Sequence, residues 1–247
     1  MNSDNFNSTQ DGLMSTRVYD WAEKYAWPRF SCIMRWIVRA LSPTWWFATH
    51  AKAGAFGHDR AKGIILRNYF YLSYAIIVAL VFGIFTHGIS TDNYPLKYQL
   101  LVLLFLYVVT WARCNEILFA FIVDALDKTK DASDGGVNNE SSLTYRKRIK
   151  LALLSYIELI INYAVIYFMM PPSWFGEEKF GNIIDAVYFS GVTITTLGYG
   201  DYSPSFWVAK LLVIHQVLTG FTLVIVSFAV YAGKGLAASS ENVRSNE

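Results

Sequence analysis

The chain has 247 residues, of which 54% are hydrophobic, 17% aromatic and only 16% charged, with a formal net charge of +2. Ordinary soluble domains carry about 45–50% apolar and about 25% charged residues. So apolar a surface cannot be covered by the charged side chains present, and a water-soluble domain and a disordered chain are both excluded. The small net charge points to no nucleic-acid partner, and Cys32 and Cys114 are too few for a disulfide framework.

The chain opens on a polar stretch, residues 1–15, without the apolar core of a signal peptide. Residues 17–50 interleave Trp21, Trp27, Trp36, Trp45 and Trp46 with Arg29, Arg35 and Arg39, and apolar residues from Phe30 to Leu41 fall at helical spacing. Two readings are open: helices lying in the membrane interface, where Trp and Arg both sit comfortably, or a small domain packing its aromatics internally. We bound this aromatic-rich amphipathic region at 1–66.

Four apolar stretches approach the ~20 residues that a spanning helix requires. They are Tyr69–Thr86, Tyr98–Ala112 running on through Arg113 and Glu116 to Val123, Leu151–Met170 with Glu158 inside it, and Leu211–Ala232. A fifth, Asn182–Thr196, is too short to cross and is bounded by polar turns, so it reads as re-entrant. The expected fold is therefore an all-α membrane protein with four transmembrane helices and one re-entrant helix. The domains follow as a first helix pair at 67–130, a linker at 131–149, a second module at 150–233 and a tail at 234–247. Basic residues concentrate before the first span (nine), at 127–150 (six) and in the tail (Lys234, Arg244), against Lys97, Lys179 and Lys210 elsewhere. By the positive-inside rule both termini are expected to be cytoplasmic.

The most informative residues are Thr195-Thr196-Leu197-Gly198-Tyr199-Gly200-Asp201, which follow the re-entrant segment and precede the last span. Passing a dehydrated monovalent cation requires oxygen ligands that replace its water. Backbone carbonyls serve only if successive residues aim them at one axis, which demands alternating ordinary and left-handed dihedrals. Gly198 and Gly200 permit this. The C-terminal end of the re-entrant helix adds a partial negative charge that favours a cation.

This motif resembles the selectivity filter of the potassium channel family, the type case of a carbonyl-lined filter. The resemblance runs through DAVYFSGVTITTLGYGDYSP and AKLLVIHQVLTGFTLVIVSFAVYAG and is to the bacterial-type module of two helices and one pore loop. It implies K+ binding by Thr196, Leu197, Gly198 and Tyr199, with Gly200 completing the outer turn. Thr195, Asp201, Tyr188, Phe189 and Val192 are implied as filter supports. Leu197 stands where Val or Ile is commoner, Tyr188 and Phe189 where many members have Trp, and Val192 where some have a Glu facing the Asp. One pore loop per chain implies a homotetramer in membrane lipid, conducting K+ passively with no organic cofactor. A weakly selective cation channel and a non-conducting regulatory membrane subunit are the alternatives.

Among intramembrane polar residues, Arg113 and Glu116 are spaced to pair, and Glu158 could meet Arg113, His215 or Gln216. No span carries the regular Arg or Lys repeat of a charged voltage-sensing helix. Gly220 matches the family's hinge position and equally suits close helix packing. Phe228 and Tyr231 are gating candidates, with lipid-facing or packing roles as the alternative. An enzyme is not expected, because His50, His58, His87 and His215 are scattered and form neither a metal site nor a hydrolytic triad.

Overall fold

The computed structural model describes residues 36–37, 40–44, 60–85, 96–131, 145–176 and 180–225. Helices and their connections make up all of it. Helix α1 is Arg60–Phe85, α2 is Leu96–Phe105, and a π-helical segment at Leu106–Trp111 leads into α3, Ala112–Asp131. Helix α4 is Tyr145–Phe168, a 3-10 turn follows at Pro172–Phe175, and α5 (Ile183–Ile194) and α6 (Trp207–Ile225) complete the order.

Three segments are long and apolar enough to cross a membrane: Lys62–Ile84, Arg146–Phe168 and Trp207–Ile225. The remaining expected span, Tyr98–Ala112, is helical but divided. Its ten-residue α2 gives way to the π segment and then to the mixed polar face of α3. The side chain of Asn115 donates to the Trp111 carbonyl at 2.9 Å, giving a partner to the last residue of the π segment where the helical register changes. At 12 residues, α5 is about 18 Å long at ~1.5 Å per residue, too short to cross, as its sequence implies.

The contacts set the directions of the helices. Leu151 near the start of α4 packs against Ile64 and Ile65 of α1, whereas Val165 near its end packs with Ala79, so α1 and α4 run parallel. Val165 also meets Leu106 while Glu158 meets Arg113, so α2 and α3 run antiparallel to α4. This alternation is what successive membrane crossings require. The outer faces stay greasy: Ile76, Ile77, Leu80 and Ile84 of α1 are exposed, while Ala75 and Ala79 turn inward and let α1 approach its neighbours.

The core lies between α4, α5 and α6. Tyr163 and Tyr167 are fully buried, and Tyr167, Phe175, Phe180, Phe189 and Tyr202 form a continuous set of ring contacts 4.8–6.3 Å apart. Edge-to-face geometry of this kind adds to the area each ring buries. The 3-10 turn is tied to the start of α6 by Ser205 and Phe206 amides donating to the Trp174 carbonyl, at 2.8 and 3.3 Å, and by Trp174 stacking on Phe206. Of the N-terminal aromatic region, Trp36 and Ile37 are exposed, and Ser42 is buried with its hydroxyl on the Ala112 carbonyl at 2.9 Å. The interfacial reading of 17–50 otherwise lies outside the described residues, as does most of the 131–149 linker.

Candidate functional site

The site begins with a helix held at both ends. Asn182 caps α5, its side-chain oxygen accepting from the Ile184 and Asp185 amides at 2.7 and 3.1 Å. Asp185 returns the contact, accepting from the Asn182 and Gly181 amides at 3.1 and 2.9 Å. Orphan donors at a helix N-terminus are thereby satisfied reciprocally. At the other end the chain turns back on the helix: Thr195 donates its amide to Gly191 O at 3.1 Å, Thr196 to Thr193 O at 3.0 Å, and Leu197 to Val192 O at 3.0 Å. The Thr195 hydroxyl also donates to Gly191 O at 2.7 Å. The first three loop residues therefore hang on the last turn of α5.

Beyond that point the backbone alternates. Thr196, Gly198 and Gly200 have φ of +60°, +57° and +82°, with ordinary residues between them. A left-handed conformation costs an L-residue with a side chain roughly 1–2 kcal/mol, so two of the three positions are glycine. Space is not the reason, since a Cβ at either glycine would meet nothing within 4 Å. Thr196 is the sole non-glycine with positive φ among the described residues. The alternation expected of a carbonyl-lined strand is thus present at 196, 198 and 200. The whole loop 195–201 lies on the surface of the single chain, with Leu197 and Tyr199 more than 60% exposed.

The supports divide into two sides. The ring of Tyr188 lies parallel to that of Tyr199 and its hydroxyl faces the Asp201 carboxylate. Asp201 accepts from the Tyr202 amide at 3.1 Å. Phe189 points the other way, into the aromatic core, and reaches the loop only through Tyr202. Val192 contributes its carbonyl to Leu197.

Behind α5 lies a polar relay whose members other than Gln216 and His215 the sequence reading did not single out. Gln216 of α6 donates to the Ser190 carbonyl and hydroxyl oxygens at 2.9 and 2.7 Å and accepts from the Tyr167 hydroxyl at 2.7 Å. Ser190 in turn donates to Ile160 O at 2.7 Å. His215 contacts the Tyr163 hydroxyl and packs on Trp111 at 4.5 Å between centroids. Gly220 sits where α6 crosses the end of α5: a Cβ there would overlap the Ile194 side chain, so its observed role is close packing. Phe228 and Tyr231 lie outside the described residues.

The intramembrane charges gather into one cluster. Arg113 donates from Nε and Nη2 to the two Glu158 oxygens at 2.7 and 3.1 Å and also pairs with Glu116 at 3.1 Å. Arg67 of α1 joins Glu116 at 2.7 Å. The Arg113 guanidinium further lies 4.1 Å over the Tyr71 ring. Of the three partners open to Glu158, Arg113 is the one it takes. Arg67 lay unremarked in the sequence because it stands among the basic residues preceding the first span.

Set beside known proteins, residues 155–234 match the family model described as "Ion channel". The match covers about a third of the chain, so it is a likeness of this segment to ion channels. The segment contains α5, the loop and α6, and begins within α4. The chain is also similar to individual proteins. "Probable potassium channel protein 2" of Methanocaldococcus jannaschii is 34% identical over 89 residues, 36% of this chain and 23% of that protein. "Potassium channel K1" of Plasmodium berghei is 34% identical over 76 residues, 31% and 4% of the respective chains. "Two-pore potassium channel 1" of Arabidopsis thaliana is 31% identical over 72 residues, 29% and 20%. The chain thus spans less than a quarter of the length of each of these relatives. No solved structure matches it significantly.

Proposed function

We propose that the chain is a subunit of a potassium-selective channel, with K+ held as permeant ion by the carbonyls of Thr196, Leu197, Gly198 and Tyr199 and the Thr196 hydroxyl. The observation that carries this reading is the alternation of left-handed φ at 196, 198 and 200 in a loop suspended from a short capped helix. Alternation turns successive carbonyls to a common side, where they substitute for a cation's hydration shell. Gly200 ends the run, and Thr195, Val192, Tyr188 and Asp201 brace it.

Each chain contributes one such loop, and a closed ring of carbonyls needs four. A homotetramer in the lipid bilayer follows, with the exposed loop and the exposed α6 residues Leu211, Ile214, Leu218 and Phe221 available to neighbouring copies. The helix pair α1 and α2–α3 then lies outside the pore module of residues 150–233 as a second unit, the divided 96–131 segment completing the fourth crossing. The distribution of Lys and Arg supports cytoplasmic termini.

The test is the purified protein in liposomes. Potassium flux blocked by Ba2+, and a reversal potential that follows the K+ gradient against Na+, are the expected results. Equal K+ and Na+ permeability would refute selectivity, and absence of flux would favour a non-conducting subunit. Detergent-solubilised protein is expected at the mass of four chains, and a conducting monomer would overturn the ring.

A further inference from the structure

The polar relay on the back of α5 lies away from the proposed ion path, yet it is built of groups that a lipid-embedded core does not hold without reason. Gln216, Ser190 and Tyr167 are each fully buried. An amide in such a place is costly unless its donors and acceptor are matched. Here they are: both strong contacts from Nε2 go to Ser190 and the oxygen takes the Tyr167 hydroxyl. The Ser190 hydroxyl donates its own hydrogen bond to Ile160 O. One side chain of α6 thus joins α4 and α5 at a single level.

That level matters because of what hangs below it. Ser190 stands one residue before Gly191, and Gly191, Val192 and Thr193 supply the carbonyls that hold Thr195, Leu197 and Thr196. A slide or rotation of α5 is therefore passed directly to the carbonyl-bearing strand. The other tie points cannot substitute. The Asn182 cap acts at the far end of the helix, and the Tyr156 hydroxyl reaches Ile194 O only at 3.4 Å. The contact of Gly220 with Ile194 limits approach but carries no directional bond.

We infer that Gln216 is a positioning residue for ion selectivity: through Ser190 it sets the axial and rotational position of α5, and so the spacing of the Thr196–Tyr199 carbonyls. The inference rests on the proposed channel reading. Carbonyl sites distinguish K+ from Na+ through their geometry and field strength, so a shift too small to disturb assembly alters the permeability ratio.

The experiment compares wild type with Gln216→Leu, Ser190→Ala and Tyr167→Phe, each as full-length protein in liposomes. K+/Na+ permeability ratio and tetramer mass are read on the same preparations. Loss of the Gln216 bonds is expected to lower the ratio about tenfold in Gln216→Leu, the effect of roughly one buried hydrogen bond. Tetramer mass stays unchanged, and the other two variants give smaller falls in the same direction. An unchanged ratio in assembled Gln216→Leu overturns the assignment, even if that variant is less heat-stable. If Gln216→Leu does not assemble, unchanged ratios in both Ser190→Ala and Tyr167→Phe overturn it instead. A wild-type protein without K+ preference would defeat the channel reading itself, and that control separates the two failures.

Discussion

Glu158→Gln is the sharpest perturbation available in the helix pair's junction with the pore module. The cluster holds Arg67, Arg113, Glu116 and Glu158, and its charges cancel. The side chains of Arg113 and Glu158 are only 6% and 1% exposed. Neutralising Glu158 leaves a net positive charge in a site that water barely reaches and replaces one of the two oxygens that accept from Arg113 with a donor. Removing one member of a buried pair costs about 3–5 kcal/mol, most of it from the charge left behind. Arg113→Gln is expected to cost a similar amount with the opposite residual charge. The double variant restores neutrality and keeps the Arg67–Glu116 pair. Its destabilisation is expected to fall short of the summed singles by at least about 2 kcal/mol. Reversible unfolding in detergent measures all four proteins, with the K+/Na+ permeability ratio of each expected to be unchanged because the cluster's ion pairs tie α1, α3 and α4 to one another and not to the 195–201 loop. Additive single and double effects would refute the reasoning, since they would mean that the two side chains do not share one buried electrostatic environment.

Three further outcomes are expected. Gly220→Ala drives a methyl into Ile194 and lowers the stability of the protein by about 1–3 kcal/mol, and Ile194→Val in the same chain recovers part of the loss; thermal denaturation reads both. Gly198→Ala places a side chain at φ +57°, a strain of about 1–2 kcal/mol per chain repeated around the proposed ring, so K+ flux is abolished while the helix content by circular dichroism is kept. Asn182→Ala removes the acceptor of two α5 amides and costs about 1 kcal/mol, and Asn182→Ser restores most of it in the same unfolding measurement.

Much of the 182–225 segment was legible because its signals are local. Positive φ favours glycine, and two of the three such positions in the 195–201 motif, Gly198 and Gly200, show in the letters alone, whereas Thr196 does not. The cap of Asn182 with Asp185 is local too, a fixed spacing that the sequence analysis did not single out. The shortness of Asn182–Thr196 could be counted, and the helix is indeed too short to cross. The polar residues Arg113, Glu158, His215 and Gln216 stood out as misfits in apolar runs.

Their partners were not fixed by the letters. Arg113 was one of three candidates for Glu158, and the structure selects it, 45 positions earlier, while Gln216 meets Tyr167 and Ser190, because separate helices cross at those levels. No periodicity within one helix encodes such a crossing. Arg67 was hidden for the same reason, and so was the break in the 96–131 helix, where a side chain competes for a backbone carbonyl.

The composition that excludes a soluble domain also shows the division. Apolar excess by itself determined that the chain lives in a membrane, because burying or wetting that surface has no other solution. Seven consecutive residues marked most of the backbone chemistry of the loop, since positive φ favours glycine and two of the three such positions, 198 and 200, are glycine. Only the tertiary structure decided where the aromatic surplus goes: Tyr163, Tyr167, Phe175, Phe180, Phe189 and Tyr202 close the space between α4, α5 and α6. Ring packing depends on which helices meet and at what height, and that is a property of the assembled bundle.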